Sequence, residues 1–268
     1  MLSVVEAILG NADYFILILL RVGGLVITSP IFGRVNMPQR VKICLIVAIS
    51  YLFFTIFPQT AELNYTTLLS FLIVCVGELL LGIALAFITN IFFALTAFTA
   101  GQLIDMQVGY GIVNVFDLQN NTQIPMMGNV LNLMMLLIFF SVNGHLTLIE
   151  IIYATVEKLP VGTLVFSPGI GLTALEIFAK AFRLGVMMAL PVLASGLTLE
   201  ITFGVLMRLV PQIHMFVVGV PLKMLVGISV FAATLPMFAG FTNRIFTEMY
   251  GGIMSMFAHF VEAIEISG

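Results

Sequence analysis

Residues 68–100 read LLSFLIVCVGELLLGIALAFITNIFFALTAFTA, a run of 33 residues whose one charge is Glu78. A straight α-helix of that length reaches about 50 Å, against a hydrocarbon core of about 30 Å. The run therefore predicts a membrane helix that tilts, bends or projects beyond the bilayer into a protein assembly. Gly82, Ala86, Asn90 and Ala94 recur every four residues along it. Such a stripe of small residues lets a second helix approach closely.

The rest of the chain has the same character. Hydrophobic residues make up 61% of the 268 and charged residues 9%, against about 25% charged in ordinary soluble domains. Residues 1–268 are accordingly expected to form a single integral membrane domain rather than a soluble core with an anchor. The ten Lys and Arg residues are scattered, which excludes a nucleic-acid-binding surface. Cys44 and Cys75 each lie inside an apolar run and read as buried small hydrophobes, with no disulfide framework. The opening MLSVVEAILGNADYF carries Glu6 and Asp13 and no basic region, so the first apolar run is expected to stay as a helix.

Hydropathy outlines six runs, at 14–32, 41–57, 68–100, 126–142, 182–209 and 222–241. A further apolar segment, 146–159, is ambiguous. The loops 33–42 and 208–223 are basic while 1–13 and 58–67 are acidic, and six spans with both termini outside satisfy all four. In residues 242–268, Phe246, Tyr250, Ile253, Phe257, Phe260 and Ile264 follow a helical spacing, with Glu248, Ser255, His259 and Glu262 elsewhere on the wheel. That acidic polar face disfavours an anionic lipid surface and favours docking on a partner helix. The expected fold is an all-α polytopic membrane protein with about six long, partly broken helices and a C-terminal amphipathic helix.

Between the third and fourth runs lies a polar, Gly-punctuated loop, residues 101–125, GQLIDMQVGYGIVNVFDLQNNTQIP. Irregular backbone flanked by membrane helices survives only where protein or water covers it, so such loops line or close pathways. Its Val108-Gly109-Tyr110-Gly111 resembles a potassium-channel filter only in passing. Gln107 stands where that filter needs a Thr, and no amphipathic pore helix precedes it. The cluster Ile112-Val113-Asn114-Val115-Phe116 follows, hinged by Gly109 and Gly111. Taken alone, these bulky residues suit either packing into the helix bundle or filling a pore.

Arg21, Glu78 and Glu200 are ionisable groups inside apolar runs, each costing about 2.5–3.5 kcal/mol at a helix centre. A pair of Arg21 with Glu78 or with Glu200 offsets that cost. Two carboxylates are too few for a proton relay at mid-depth, and structural pairing at subunit contacts is the preferred reading. His145, His214 and His259 lie in separate segments without metal-ligand spacing, and neither a GxSxG elbow nor a phosphate-binding loop is present. No catalytic residue, cofactor site or metal site is expected, and an enzyme is not.

The stretch 208–223, RLVPQIHMFVVGVPLK, carries a resemblance. Arg208, Pro211, Gln212, Gly219, Pro221 and Lys223 in this order resemble the signature of the FliR/SctT family, the R subunits of type III export gates. Arg21, Pro30 and Pro38 resemble its first-loop pattern, and Gly101 to Gly109 its G-x-x-I-x-x-Q-x-G approach to the central loop. Asn143-Gly144-His145 matches the family's NGH, and Leu159-Pro160-Val161-Gly162 its Leu-Pro-aliphatic-Gly turn. His214 departs from the family, which often has a small polar residue there. The resemblance spans essentially the whole chain. It implies one R copy assembled with FliP and FliQ subunits into an inner-membrane channel, with FlhB around its entrance and FlhA beneath. Unfolded flagellar proteins are the implied cargo. It also implies that Gly109, Tyr110, Gly111, Ile112, Val113, Asn114, Val115 and Phe116 form a hydrophobic plug. An injectisome homologue secreting effectors is the near alternative, and an independent ion channel or secondary transporter the distant one.

Overall fold

Lipid offers no partner to a backbone N–H or C=O, so a chain this apolar must satisfy those groups within its own segments. The computed structural model describes residues 11–33, 37–57, 67–109, 126–162, 169–209 and 215–267, and the regular elements among them are helical. In chain order these are α1 (Ala12–Thr28), α2 (Gln39–Ile56), α3 (Leu68–Asn90), a π-helical turn (Ile91–Leu95), α4 (Thr96–Val108), α5 (Met126–Ser141), α6 (Gly144–Lys158), α7 (Gly169–Leu209) and α8 (Met215–Ser267). Four stretches are long and apolar enough to cross a membrane: Gln39–Ile56, Leu68–Val108, Gly169–Leu209 and Val218–Glu262. The bent pair α5–α6 makes a fifth if counted as one span. The fold is thus all-α and polytopic, as the composition predicts.

Its helices depart from the six hydropathy runs in instructive ways. At 17 residues α1 is short for a crossing. The ambiguous segment 146–159 is helix α6, and α7 begins at Gly169, ahead of the apolar run that starts near Phe182. The sixth run and the amphipathic tail are one helix of 53 residues, because nothing between Phe241 and Phe246 breaks it. Pro191 in α7, and Pro221 and Pro236 in α8, are likewise carried inside continuous helix.

The chain divides into two compact units. The first comprises Met1–Ile91, Phe140–Ile177 and Met249–Gly268. Here α1 and α3 run in the same direction, since Gly24 meets Leu79 and Thr28 meets Asn90. Their approach is set by small residues. A Cβ on Gly82 would fall onto the Arg21 carbonyl oxygen, and one on Gly24 would stand 2.6 Å from the Leu79 carbonyl oxygen. Ala86 is buried on the same face, and Asn90 Nδ2 donates to the Thr28 carbonyl at 3.4 Å. The stripe ends there. A π-helical turn bonds five residues back rather than four, so it rotates the next position off the face, and Ala94 is exposed. Leu17, Ile18, Val22, Leu81, Leu85 and Ile88 fill the α1–α3 seam. Helix α2 packs antiparallel to α1, bringing Phe54 to Phe15 with ring centroids 5.7 Å apart.

The second unit comprises Phe92–Phe139 and Phe178–Glu248. Phe93, Phe139 and Phe246 form a triangle of rings at its core, with centroids 5.4–5.7 Å apart. Around the units, whole helix faces remain apolar and open, as on α2, where Val41, Ile43, Val47, Leu52 and Ile56 are exposed. Cys44 lies exposed on this helix, and Cys75 on α3 is half-buried, so neither is the buried hydrophobe its sequence setting predicts. Their apolar neighbours face outward, where only lipid or another subunit can cover them.

Candidate functional site

In the second unit Asp105, Gln107, Glu200 and Lys223 make polar contacts near the ends of the central loop. Helix α4 stops because Gly109 adopts a left-handed conformation, φ 95°, with its N–H donating to the Asp105 carbonyl at 3.0 Å. Glycine meets that requirement without a Cβ penalty. The other end of the loop returns at Met126, the first residue of α5. There the Met127 N–H donates to Asp105 Oδ1 at 3.2 Å. A carboxylate so placed satisfies a backbone donor that a helix start leaves unpaired, and its charge suits the positive end of the helix dipole.

Asp105 thus holds both ends of the loop, one through its main chain and one through its side chain. It is 3% exposed, and Oδ2 is buried without a hydrogen-bond partner among the described residues. One turn earlier, α4 and α5 meet backbone to backbone, since a Cβ on Gly101 would fall onto the Cα and N of Gly128.

Helices α7 and α8 complete this neck. Gln107 lies where a Cβ on Gly196 would stand, and its Nε2 reaches Glu200 Oε1 at 3.5 Å. The same Glu200 oxygen accepts from Lys223 Nζ at 2.5 Å, with side chains 42% and 20% exposed respectively. A Cβ on Gly227 would meet Val108 Cγ2 at 2.8 Å. Gly109, Glu200 and Lys223, which the sequence singles out for separate reasons, therefore share one locality. Tyr110, Gly111, Ile112, Val113, Asn114, Val115 and Phe116 lie outside the described residues, as do Pro211 and Gln212. Of the remaining signature positions, Gly219 is buried, Pro221 is exposed within α8, and Arg208 is exposed at the end of α7.

In the first unit, Arg21 takes Glu78 as its partner; Glu200 is engaged by Lys223. Arg21 Nη1 also donates to the carbonyls of Thr155 and Leu159, both at 3.0 Å, and Glu78 Oε1 accepts the Gly162 N–H at 2.8 Å. The pair thereby secures the Leu159–Gly162 turn at the end of α6 to α1 and α3. At the start of α6, Asn143 holds a left-handed conformation, φ 57°, which Asn tolerates better than most residues. The Gly144 carbonyl faces the Tyr250 hydroxyl at 3.5 Å, and the His145 ring lies 5.3 Å from that of Phe140.

Asp105 escapes the sequence reading. Its partner stands 22 residues on, across the loop, where no local spacing reveals it. The available signal was a carboxylate one turn before a helix-ending glycine. Among the described residues, no group of three His, Cys, Asp or Glu is placed to hold a metal.

Comparison with known proteins agrees across the chain's length. The family model described as bacterial export proteins, family 1, matches residues 12–249. The flagellar biosynthetic protein FliR of Escherichia coli K12 is 35% identical over 234 residues, covering 87% of this chain and 88% of that protein. FliR of Bacillus subtilis 168 is 31% identical over 218 residues, covering 80% and 82%. FliR of Pectobacterium carotovorum is 30% identical over 232 residues, covering 86% and 87%.

Proposed function

The chain belongs to the bacterial export proteins, family 1, and from that premise we propose that it is the R subunit of a flagellar type III export gate. One copy joins FliP and FliQ subunits in the inner membrane, with FlhB and FlhA as neighbours, and the assembly passes unfolded flagellar proteins. The observation that carries this reading is the match over residues 12–249, with relatives named as flagellar biosynthetic proteins. Those names favour flagellar cargo over effector secretion. The open apolar faces of α2, α3 and α7 support residence among other subunits and lipid rather than a self-sufficient bundle.

In this reading the chain does no covalent chemistry. Its work is steric: Ile112, Val113, Val115 and Phe116 fill the closed channel, and Gly109 and Gly111 let the loop swing aside. The geometry of the neck supports the role, because a loop that must move as a unit needs a fixed base. Arg21 and Glu78 hold the chain's own helices together. Glu200 and Lys223 are partly open, which supports a role for them at a contact with a neighbouring subunit.

Native mass spectrometry on the tagged chain, co-expressed with its P and Q neighbours and extracted in mild detergent, tests the assignment. One copy bound to several P and Q subunits is the expected result. A homotetramer, or a monomer indifferent to those partners, would overturn it in favour of an independent channel or transporter.

A further inference from the structure

We propose that the open face of α8 between Ser229 and Thr247 docks a helix of a neighbouring gate subunit, one that sets a carboxylate opposite Arg244. The inference rests on the gate reading above and adds to it a contact face and the chemistry its partner must carry.

Within the second unit α8 is two-sided. Phe231, Phe238 and Ile245, seven residues apart, are buried in the unit's own core, with Thr242 and Phe246 beside them. On the other side Ser229, Ala233, Met237, Gly240, Arg244 and Thr247 are all exposed. Their 4-4-3-4-3 spacing keeps them on one helix face, about 27 Å long. This is the spacing with which one helix lies along another.

Charge says what covers the face. The Ser229 and Thr247 hydroxyls donate to carbonyls one turn back, at 2.7 and 3.1 Å. The Asn243 amide and the Arg244 guanidinium, by contrast, make no hydrogen bond or ion pair among the described residues, and Glu248, one turn on, is not paired with Arg244. Lys180, Arg183 and Arg208 are likewise without an ion pair among the described residues of this unit, so its open charge is mostly positive. Arg244 also lies inside the apolar stretch Val218–Glu262, among Phe238, Phe241, Ile245 and Phe246. An arginine in such a setting is paired as a rule, and its planar fork matches a carboxylate at two points.

Shape says that the carboxylate arrives on a helix. Nothing lies within 4 Å of the place a Cβ on Gly240 would take. Glycine weakens a helix interior relative to alanine, and no close approach within the chain accounts for it here. A bare position one turn from the unpaired arginine lets a second helix come near enough for a short acidic side chain to reach. A lipid phosphate would answer Arg244 but would gain nothing from Gly240 or from the rest of the face.

The test uses the complete gate, purified with its P and Q neighbours, in wild-type and Arg244→Lys form. A water-soluble carbodiimide joins a lysine amine to a carboxylate in direct contact, with loss of water, and leaves arginine unreacted. The expected result is a crosslink found only in the Arg244→Lys gate, joining position 244 to an Asp or Glu on a helix of another subunit. Adding Gly240→Leu should remove most of it, because the larger side chain holds the partner helix away; an undiminished crosslink would overturn the docking geometry. Native mass spectrometry on the same samples separates the two levels of the argument. P and Q present without the crosslink, or with one only to Glu248 or to a second copy of this chain, overturns the docking face and leaves the gate reading standing. A wild-type chain that brings down neither P nor Q overturns both. Should Arg244→Lys fail to assemble, a benzoylphenylalanine photocrosslinker at Met237 in the otherwise wild-type chain decides. An adduct with another gate subunit supports the face, and an adduct with lipid alone, or none, overturns it.

Discussion

Arg21 and Glu78 meet as a two-point pair, Nε to Oε2 at 2.6 Å and Nη2 to Oε1 at 3.0 Å, with side chains 2% and 0% exposed. Each charge removes much of the other's burial cost, and Thr155, Leu159 and Gly162 supply further hydrogen bonds to the pair. Removing one member leaves the other charge dry and unpaired, which costs about 3–5 kcal/mol. Arg21→Met and Glu78→Leu should each lower the thermal midpoint of the detergent-solubilised chain, followed by circular dichroism. Combining them should recover part of the loss, because no charge then remains buried. Recovery stays incomplete, since the double variant removes both the Arg21 donor to the Leu159 carbonyl and the Glu78 acceptor of the Gly162 N–H. A double variant less stable than both singles would contradict the pairing.

The α1–α3 crossing depends on absent side chains. A methyl on Gly82 or Gly24 would collide with backbone rather than with a flexible side-chain tip, so the helices themselves must shift. Overpacking of this kind costs about 1–3 kcal/mol. Gly82→Ala and Gly24→Ala are expected to lose that much in the same melting assay. Gly204→Ala is the matched control, because nothing lies within 4 Å of its added methyl. In an open helical position the change from Gly to Ala stabilises by roughly 0.5–1 kcal/mol. Equal losses at all three positions would refute the packing argument.

The same contrast shows what was legible in the sequence. The apolar runs announce helices, and the spacing of Gly82, Ala86 and Asn90 announces a helix-docking face, because both are periodic properties of one segment. Ala94 drops out of the stripe because the π-helical turn at Ile91–Leu95 carries no Pro or Gly to announce it. Arg21 could be recognised as needing a carboxylate, but choosing Glu78 over Glu200 depends on which helices neighbour each other, a tertiary fact. Lys223, identified only as part of a motif, is Glu200's partner for the same reason. Pro221 reads as part of a helix break yet sits inside α8 at its seventh residue, and membrane helices carry such prolines where surrounding groups re-satisfy the freed backbone carbonyl. Asp105 was hidden because its role is defined by a residue beyond the loop.

Glu200 and Lys223 form an ion pair of a different kind from Arg21 and Glu78. Both side chains are partly open, so solvent and salt weaken their attraction, and such pairs contribute about 0–1 kcal/mol. Lys223→Ala should therefore lower the stability of the isolated chain by less than about 1 kcal/mol. If the pair faces a neighbouring subunit, the same change should still reduce swimming in soft agar, and exchanging the charges by Glu200→Lys with Lys223→Glu should restore part of it. A stability loss as large as that of Glu78→Leu would show instead that the pair holds this chain's own fold.

Gly101 bears on the neck from a position one turn away from Asp105. Any side chain there must displace the Gly128 backbone, and with it the start of α5 that carries Met127. Gly101→Ala should therefore lengthen the Asp105–Met127 hydrogen bond without touching either residue. Both Gly101→Ala and Asp105→Ala are expected to destabilise the chain, the former by about 1–3 kcal/mol and the latter by about 0.5–2 kcal/mol. If they act on one contact, the second change finds little left to break. The double variant should then fall short of the sum by at least about 0.5 kcal/mol in thermal or denaturant unfolding. Strict additivity would mean that Gly101 and Asp105 stabilise the α4–α5 neck independently, and that the close backbone approach does not set the Asp105–Met127 bond.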